Sequence, residues 1–291
     1  MTLATLAGLT LGCGPPIDYD ARARYPKDDP AAPAPEVLLL SAHLSRFGDA
    51  PPTGAALDGP RMAETLESGQ DRVVLVFARE LDPLAIDPRW FAILRGDGRR
   101  VRPIRALLAP ANEADENRTL VLLGNFGEPG SAPVAVHVIG PLYAETGEPL
   151  TGLDAAISGP EQGDRVVFDE RRRPGPARCE TSGQVVRLYW SDLIAGVELE
   201  DLAKFELALA DGQVVAPVGF DDHEALVGAP DGAVFGVRDD NVLDLCVAET
   251  AAVVRVRAPA GLFRDERGHP SAAIDTAPRT LSSSEPSQAS Q

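Results

Sequence analysis

Cysteine, histidine, methionine and tryptophan are scarce in this chain: three, four, two and two among 291 residues. Neither an HExxH pattern nor a zinc-type Cys/His spacing occurs. Positive charge is also short, with 27 Lys+Arg against 44 Asp+Glu and a net charge of −17. That balance excludes nucleic acid as a partner, because phosphate binding needs a clustered positive surface. No apolar run reaches the ~20 residues that cross a bilayer. A Gly-x-Ser-x-Gly elbow is missing, and Gly96-Asp97-Gly98 is no phosphate loop because a hairpin rather than a helix is expected around it. Paired carboxylates are always found among 44 acids, so they carry no weight for glycoside hydrolysis.

Glycine and proline are abundant, at 27 and 26 residues. So many breakers leave little room for long helices. At 44% hydrophobic and 24% charged the composition is that of an ordinary globular protein. The length accommodates one large domain or two of roughly 100–150 residues.

Met1 to Gly12 is uncharged and largely apolar, and Cys13 follows. The stretch suits the ~7–15-residue apolar region of a secretory signal peptide. The basic residues that precede such a region are missing, which leaves room for a true start upstream of Met1. Thr10-Leu11-Gly12-Cys13 resembles a bacterial lipobox, with Thr10 where leucine is usual. The resemblance implies that Cys13 is lipidated and becomes the mature N-terminus, and Gly14 after it is compatible with the outer membrane. A Pro-rich stretch to Pro35 follows, a composition that behaves as an extended tether.

An internal repeat fills the rest. Val73 to Phe77 with Leu81 matches Val185 to Tyr189 with Leu193, and Trp90 to Leu94 with Asp97-Gly98 matches Lys204 to Leu209 with Asp211-Gly212. Leu120-Val121-Leu122 matches Leu243-Asp244-Leu245, the Val134–Val138 alternation matches Val254 and Val256, and Leu142 to Pro149 matches Leu262 to Pro270. Short alternating apolar runs bounded by turn formers predict half-buried strands. Each Asp-Gly predicts a hairpin with a type I′ turn. Units of ~100 residues built this way predict antiparallel β-sandwiches. Pro83, Pro88 and the 201–203 stretch mark crossovers carrying a short helical turn.

The ordered set of Phe77, Leu81-Asp82-Pro83, Phe91, Asp97-Gly98, Leu120-x-Leu122 and Gly261-Leu262-Phe263-Arg264-Asp265 resembles the bacterial Ig-like domains of the S-layer SbsA type. Copy one departs at Gly140 to Glu145, where an Asp is usual, and copy two lacks the proline at Leu193-Ile194-Ala195. The resemblance implies an extracellular spacer or adhesion module without catalytic residues.

Cys179 and Cys246 fall in the second copy and are expected to bridge, since export and the even count left after Cys13 favour a disulfide. Asp221, Asp222, His223 and Glu224 open an acidic connection that ends at Asp239-Asp240. Its carboxylates suit calcium, although no EF-hand spacing is present and a solvated loop is the simpler reading. Arg171-Arg172-Arg173 reads as a solvated turn, with contact to anionic lipid as the alternative. His43, His137 and His269 lie far apart, and His137 points away from Val136 and Val138. Asn117-Arg118-Thr119 forms a sequon that carries no weight in a lipoprotein.

The expected architecture is therefore all-β: a signal peptide with lipobox at 1–13, a tether at 14–35, Ig-like sandwiches at 36–159 and 160–276, and a disordered tail at 277–291. The expected function is a non-enzymatic lipoprotein of the cell envelope, outer-membrane anchored, without a cofactor. Its sandwiches would serve as a spacer, or would recognise an envelope protein or polysaccharide. The alternative is a calcium- or carbohydrate-binding module using Asp221, Asp222, Glu224, Asp239 and Asp240. A hydrolase built on His223 ranks below both, because no nucleophile or cofactor cradle accompanies it.

Overall fold

A computed structural model describes residues 36–48, 70–83, 86–111, 116–159, 161–172, 179, 181–221, 241–265 and 267–280. The architecture is all-β, as the alternating short runs predict, and comprises four largely antiparallel sheets.

In the first half the strands are β1 (Leu39–Arg46), β2 (Asp71–Phe77), β3 (Phe91–Arg95), β4 (Arg100–Val101), β5 (Arg105–Leu108), β6 (Thr119–Gly124), β7 (Pro133–Val138) and β8 (Asp154–Ala156). They form one sheet in the order β1-β2-β6-β5 and another in the order β4-β3-β7-β8. In the second half they are β9 (Val166–Arg172), β10 (Gln184–Trp190), β11 (Glu206–Leu209), β12 (Val214–Val215), β13 (Gly219–Asp221), β14 (Val242–Val247), β15 (Val253–Ala258), β16 (Ile274–Thr276) and β17 (Arg279–Thr280). The sheet orders are β13-β14-β10-β9-β17 and β12-β11-β15-β16. Apart from β17, the second half repeats the pairing of the first strand for strand.

Each half buries its own core between its two sheets. Val73, Leu75, Phe77, Phe91, Ile93, Leu120, Leu122 and Val136 fill the first. Val186, Leu188, Trp190, Phe205, Leu207, Leu243, Leu245 and Val256 fill the second. Inward positions thus pair Val73 with Val186 and Phe77 with Trp190, one residue on from the match of Val73 with Val185. Side-chain direction alternates with a period of two, so a shift by one residue exchanges the faces of the whole strand. With apolar residues at nearly every position of β2, similarity alone does not choose between the registers.

Both hairpins form at Asp97-Gly98 and Asp211-Gly212, but not as type I′ turns. Only Gly98 (φ +82°) and Gly212 (φ +90°) have positive φ among these loop residues. The Arg95 N–H donates to Arg99 O at 2.9 Å and the Leu209 N–H to Gln213 O at 2.8 Å, closing three-residue loops that end in a left-handed glycine. Each Asp reinforces its loop, its Oδ1 accepting at 3.0 Å from the N–H two residues on. The expected crossover turns are 3-10 helices at Pro88–Trp90 and Leu199–Lys204.

Two expectations change. β2 and β10 are buried along their entire length rather than on one face. The start of the expected tail, Arg279–Thr280, is strand β17, pairing parallel to β9.

Candidate functional site

The outward faces of β2 and β10 are covered where the two halves meet, at Val76 and Tyr189, while Val74 packs with Ala109, Val121 and Leu123 of its own half and Val185 with the Cys179–Cys246 pair. Val76, Ala78 and Ala111 of the first half pack with Phe168, Tyr189 and Val242 of the second in one apolar cluster. Around it lies a set of buried charges that link the halves. Arg118 Nη2 donates to Glu170 Oε2 at 3.3 Å, while its Nη1 donates to Ala78 O at 2.7 Å. Its guanidinium sits 4.8 Å from the Phe168 ring centroid, an added cation–π contact. Glu170 also accepts from Arg172 Nε at 2.6 Å, and Arg172 Nη2 reaches Glu80 across the seam at 3.1 Å.

Arg187 stands opposite Asp244 in the β10–β14 ladder and binds it with two bonds of 2.7 Å. Glu116 of the first half approaches the same guanidinium at 3.3 Å. Asn241 completes the seam by donating to Thr119 Oγ1 at 2.9 Å. Deep burial holds the Tyr189 phenol above its ordinary range.

At one end of the seam three groups converge. His43 on β1, Asp164 ahead of β9 and Asp192 after β10 place one nitrogen or oxygen ligand atom each within 4.8 Å of one another, all buried. His43 Nδ1 lies 2.9 Å from Ser158 Oγ, and that hydroxyl is 3.2 Å from Ala42 O. A hydroxyl whose proton goes to the Ala42 carbonyl accepts from His43 Nδ1–H, which leaves the Nε2 lone pair facing the carboxylates. Nε2 is 4.0 Å from Asp164 Oδ1, beyond hydrogen-bonding distance. Asp164 Oδ1 accepts from Ser191 Oγ at 3.4 Å, whereas Oδ2 is buried without a hydrogen-bond partner.

Arg72 Nη2 bonds both Asp192 oxygens, at 3.3 and 3.4 Å, and its Nε donates to Ser45 Oγ at 2.7 Å. Burial lowers the His43 pKa, with Asp192 opposing the shift. Burial also raises that of Asp164, and the neighbouring charges of Asp192 and Asp265 push it the same way. Such a set can hold a proton on Asp164 or a cation among the three groups.

Cys179 and Cys246 form the expected disulfide, with Cα atoms 5.3 Å apart, packed against Val185. Asp221 ends β13, its backbone opposite Asp244. Cys13, Asp222, Glu224, Asp239 and Asp240 lie outside the described residues, as does Arg173. Of the expected solvated turn, Arg171 and Arg172 instead belong to strand β9, in which Arg172 is buried beside two glutamates that neutralise it. Asn117 and Arg118 of the sequon are buried too, and His137 is half-buried. Asp265, from the motif at the end of copy two, orders a turn: its Oδ1 accepts from the Arg267 and His269 N–H groups, and Gly268 has φ +84°.

His43 escapes a search for local motifs, since its partners are more than a hundred residues away. The signal that the sequence does carry is charge inside apolar strands: Arg72 ahead of Val73-Val74, Arg187 between Val186 and Leu188, and Asp244 between two leucines. The chain matches no protein-family model and no curated protein.

Proposed function

We propose that the chain is an exported, non-enzymatic protein of the bacterial cell envelope, lipid-anchored at Cys13, whose two Ig-like sandwiches act as one recognition block. The observation that carries this reading is the Cys179–Cys246 disulfide, because such bonds persist in oxidising compartments outside the cytosol. The seam favours recognition over reach. A spacer gains length by joining modules end to end, whereas here the inner sheets are laid face to face.

Support for a non-enzymatic role comes from the buried Ser–His–Asp grouping at the seam. His43 is 1% exposed and the Ser158 hydroxyl is engaged with Ala42 O, so the group packs a seam rather than presenting a nucleophile. The partner is an envelope protein or polysaccharide. Fractionation of cells expressing the full chain tests the anchor: Cys13→Ala moves the protein from the membrane to the soluble fraction. Unchanged membrane association overturns it.

A further inference from the structure

We propose that His43, Asp164 and Asp192 bind one divalent transition-metal ion, zinc by preference, which clasps the two halves at the end of their seam. This rests on the cluster geometry and not on the envelope assignment. Three observations converge. The ligand atoms of the three side chains lie within 4.8 Å of one another. Ligands held ~2.0–2.2 Å from zinc in a tetrahedron stand somewhat closer than that, so a small inward movement completes the set.

The second observation is the orientation of His43. Its Nδ1 is fixed by Ser158 at 2.9 Å and its Nε2 faces the acids, the arrangement by which an outer hydrogen bond orients a metal-binding imidazole. The third is the orphaned oxygen of Asp164, a side chain with no solvent exposure. A buried carboxylate oxygen without a donor is costly, and a cation is the ligand that would satisfy it.

The donor set selects the metal. An imidazole nitrogen with two carboxylates suits zinc and its transition-metal neighbours, whereas calcium and magnesium take oxygen ligands. Three side chains supply three zinc ligands and leave one for water. Arg72 is no obstacle, because Asp192 has two oxygens and the guanidinium can keep one as an outer-shell partner. His43 belongs to the first half and the two aspartates flank β9 and β10 of the second, so the ion would cross-link the halves.

The test uses the full chain stripped with chelator and titrated with zinc by calorimetry, with calcium as the control. One zinc per chain is expected, with a rise in Tm of ~5 °C or more at a hundredfold excess over Kd. Calcium is expected to give neither effect through these residues. His43→Gln and Asp164→Asn, checked for native near-ultraviolet circular dichroism, are each expected to weaken zinc at least about a hundredfold. His223→Gln and His269→Gln are expected to bind as the parent does.

No zinc binding, binding unchanged in both seam variants, or loss of binding in His223→Gln or His269→Gln overturns the proposal. Where a seam variant does not fold, zinc-edge X-ray absorption of the parent protein decides. One imidazole within an otherwise oxygen shell supports the site, and two imidazoles or any sulfur refutes it.

Discussion

Arg118 on the loop entering β6 and Glu170 on β9 face one another at 3.3 Å, both without solvent exposure, and belong to opposite halves of the chain. Neither has a counterpart in an isolated sandwich of alternating apolar and polar positions. Their pairing makes the outer face of one sheet the lining of a second, polar interior. The fold therefore has two apolar cores and, between them, a seam of charge with a small apolar centre.

Removing one partner from such a seam leaves the other charge buried and unmatched. Glu170 serves two arginines, Arg118 and Arg172. Glu170→Ala is expected to cost ~3–5 kcal/mol, the usual penalty for breaking a buried ion pair. Urea unfolding at pH 7 measures it. A loss below about 1 kcal/mol would mean that water reaches the seam and screens it, as at an exposed pair.

The seam also predicts how the chain melts. Independent modules would give two calorimetric transitions, each with its own Tm. Here Arg118, Arg172 and Arg187 each have an acid in the opposite half, so neither half unfolds without stranding charges in the other. One cooperative transition is expected, with calorimetric and van't Hoff enthalpies equal. Residues 36–159 alone expose Val76, Ala78 and Arg118 and are expected to aggregate or self-associate.

How far all this was legible depends on sequence distance. Strands, hairpins and the repeat follow from local alternation and Asp-Gly turns, which act over a few residues. The disulfide follows from the pair of cysteines left when Cys13 is set aside, on the expectation that the chain is exported. Three features needed the assembled fold. The turn type depended on φ at Asp97 and Asp211, and the register of β2 against β10 on which of several valines points inward. The seam depended on two sheets meeting. Arg187 within Val186-Arg187-Leu188 signals something buried and charged, but nothing local says that Glu116 and Asp244 answer it.

The disulfide closes a loop with a sequence separation of 67, spanning β10 to β14. On the loop-entropy model such a crosslink stabilises by about 4 kcal/mol, and losing a native bridge costs ~2–5 kcal/mol. The double variant Cys179→Ser with Cys246→Ser is expected to lower Tm while keeping the far-ultraviolet spectrum. Mass spectrometry after alkylation without reductant should find no free thiol at either position in the parent protein. Two alkylated thiols there would remove the bridge from the account.

Asp169 alternates along β9 with the seam residues Phe168 and Glu170, and burial raises its pKa, with the Glu170 charge adding while Thr276 and Arg279 oppose. A carboxyl whose folded pKa lies above its unfolded one holds its proton more tightly in the native state. The ionised form therefore opposes folding, fully at pH above the folded value and not at all below the unfolded value of about 3.9. Asp169→Asn keeps an oxygen able to accept from Thr276 and removes the buried charge. The variant is expected to have the higher Tm at pH 7–8, and the gain should shrink steadily as the pH falls toward about 4. Thermal scans of parent and variant across that range check the sign. A variant less stable at neutral pH would show that the attraction of Arg279 outweighs desolvation, and that the Asp169 charge stabilises the native state.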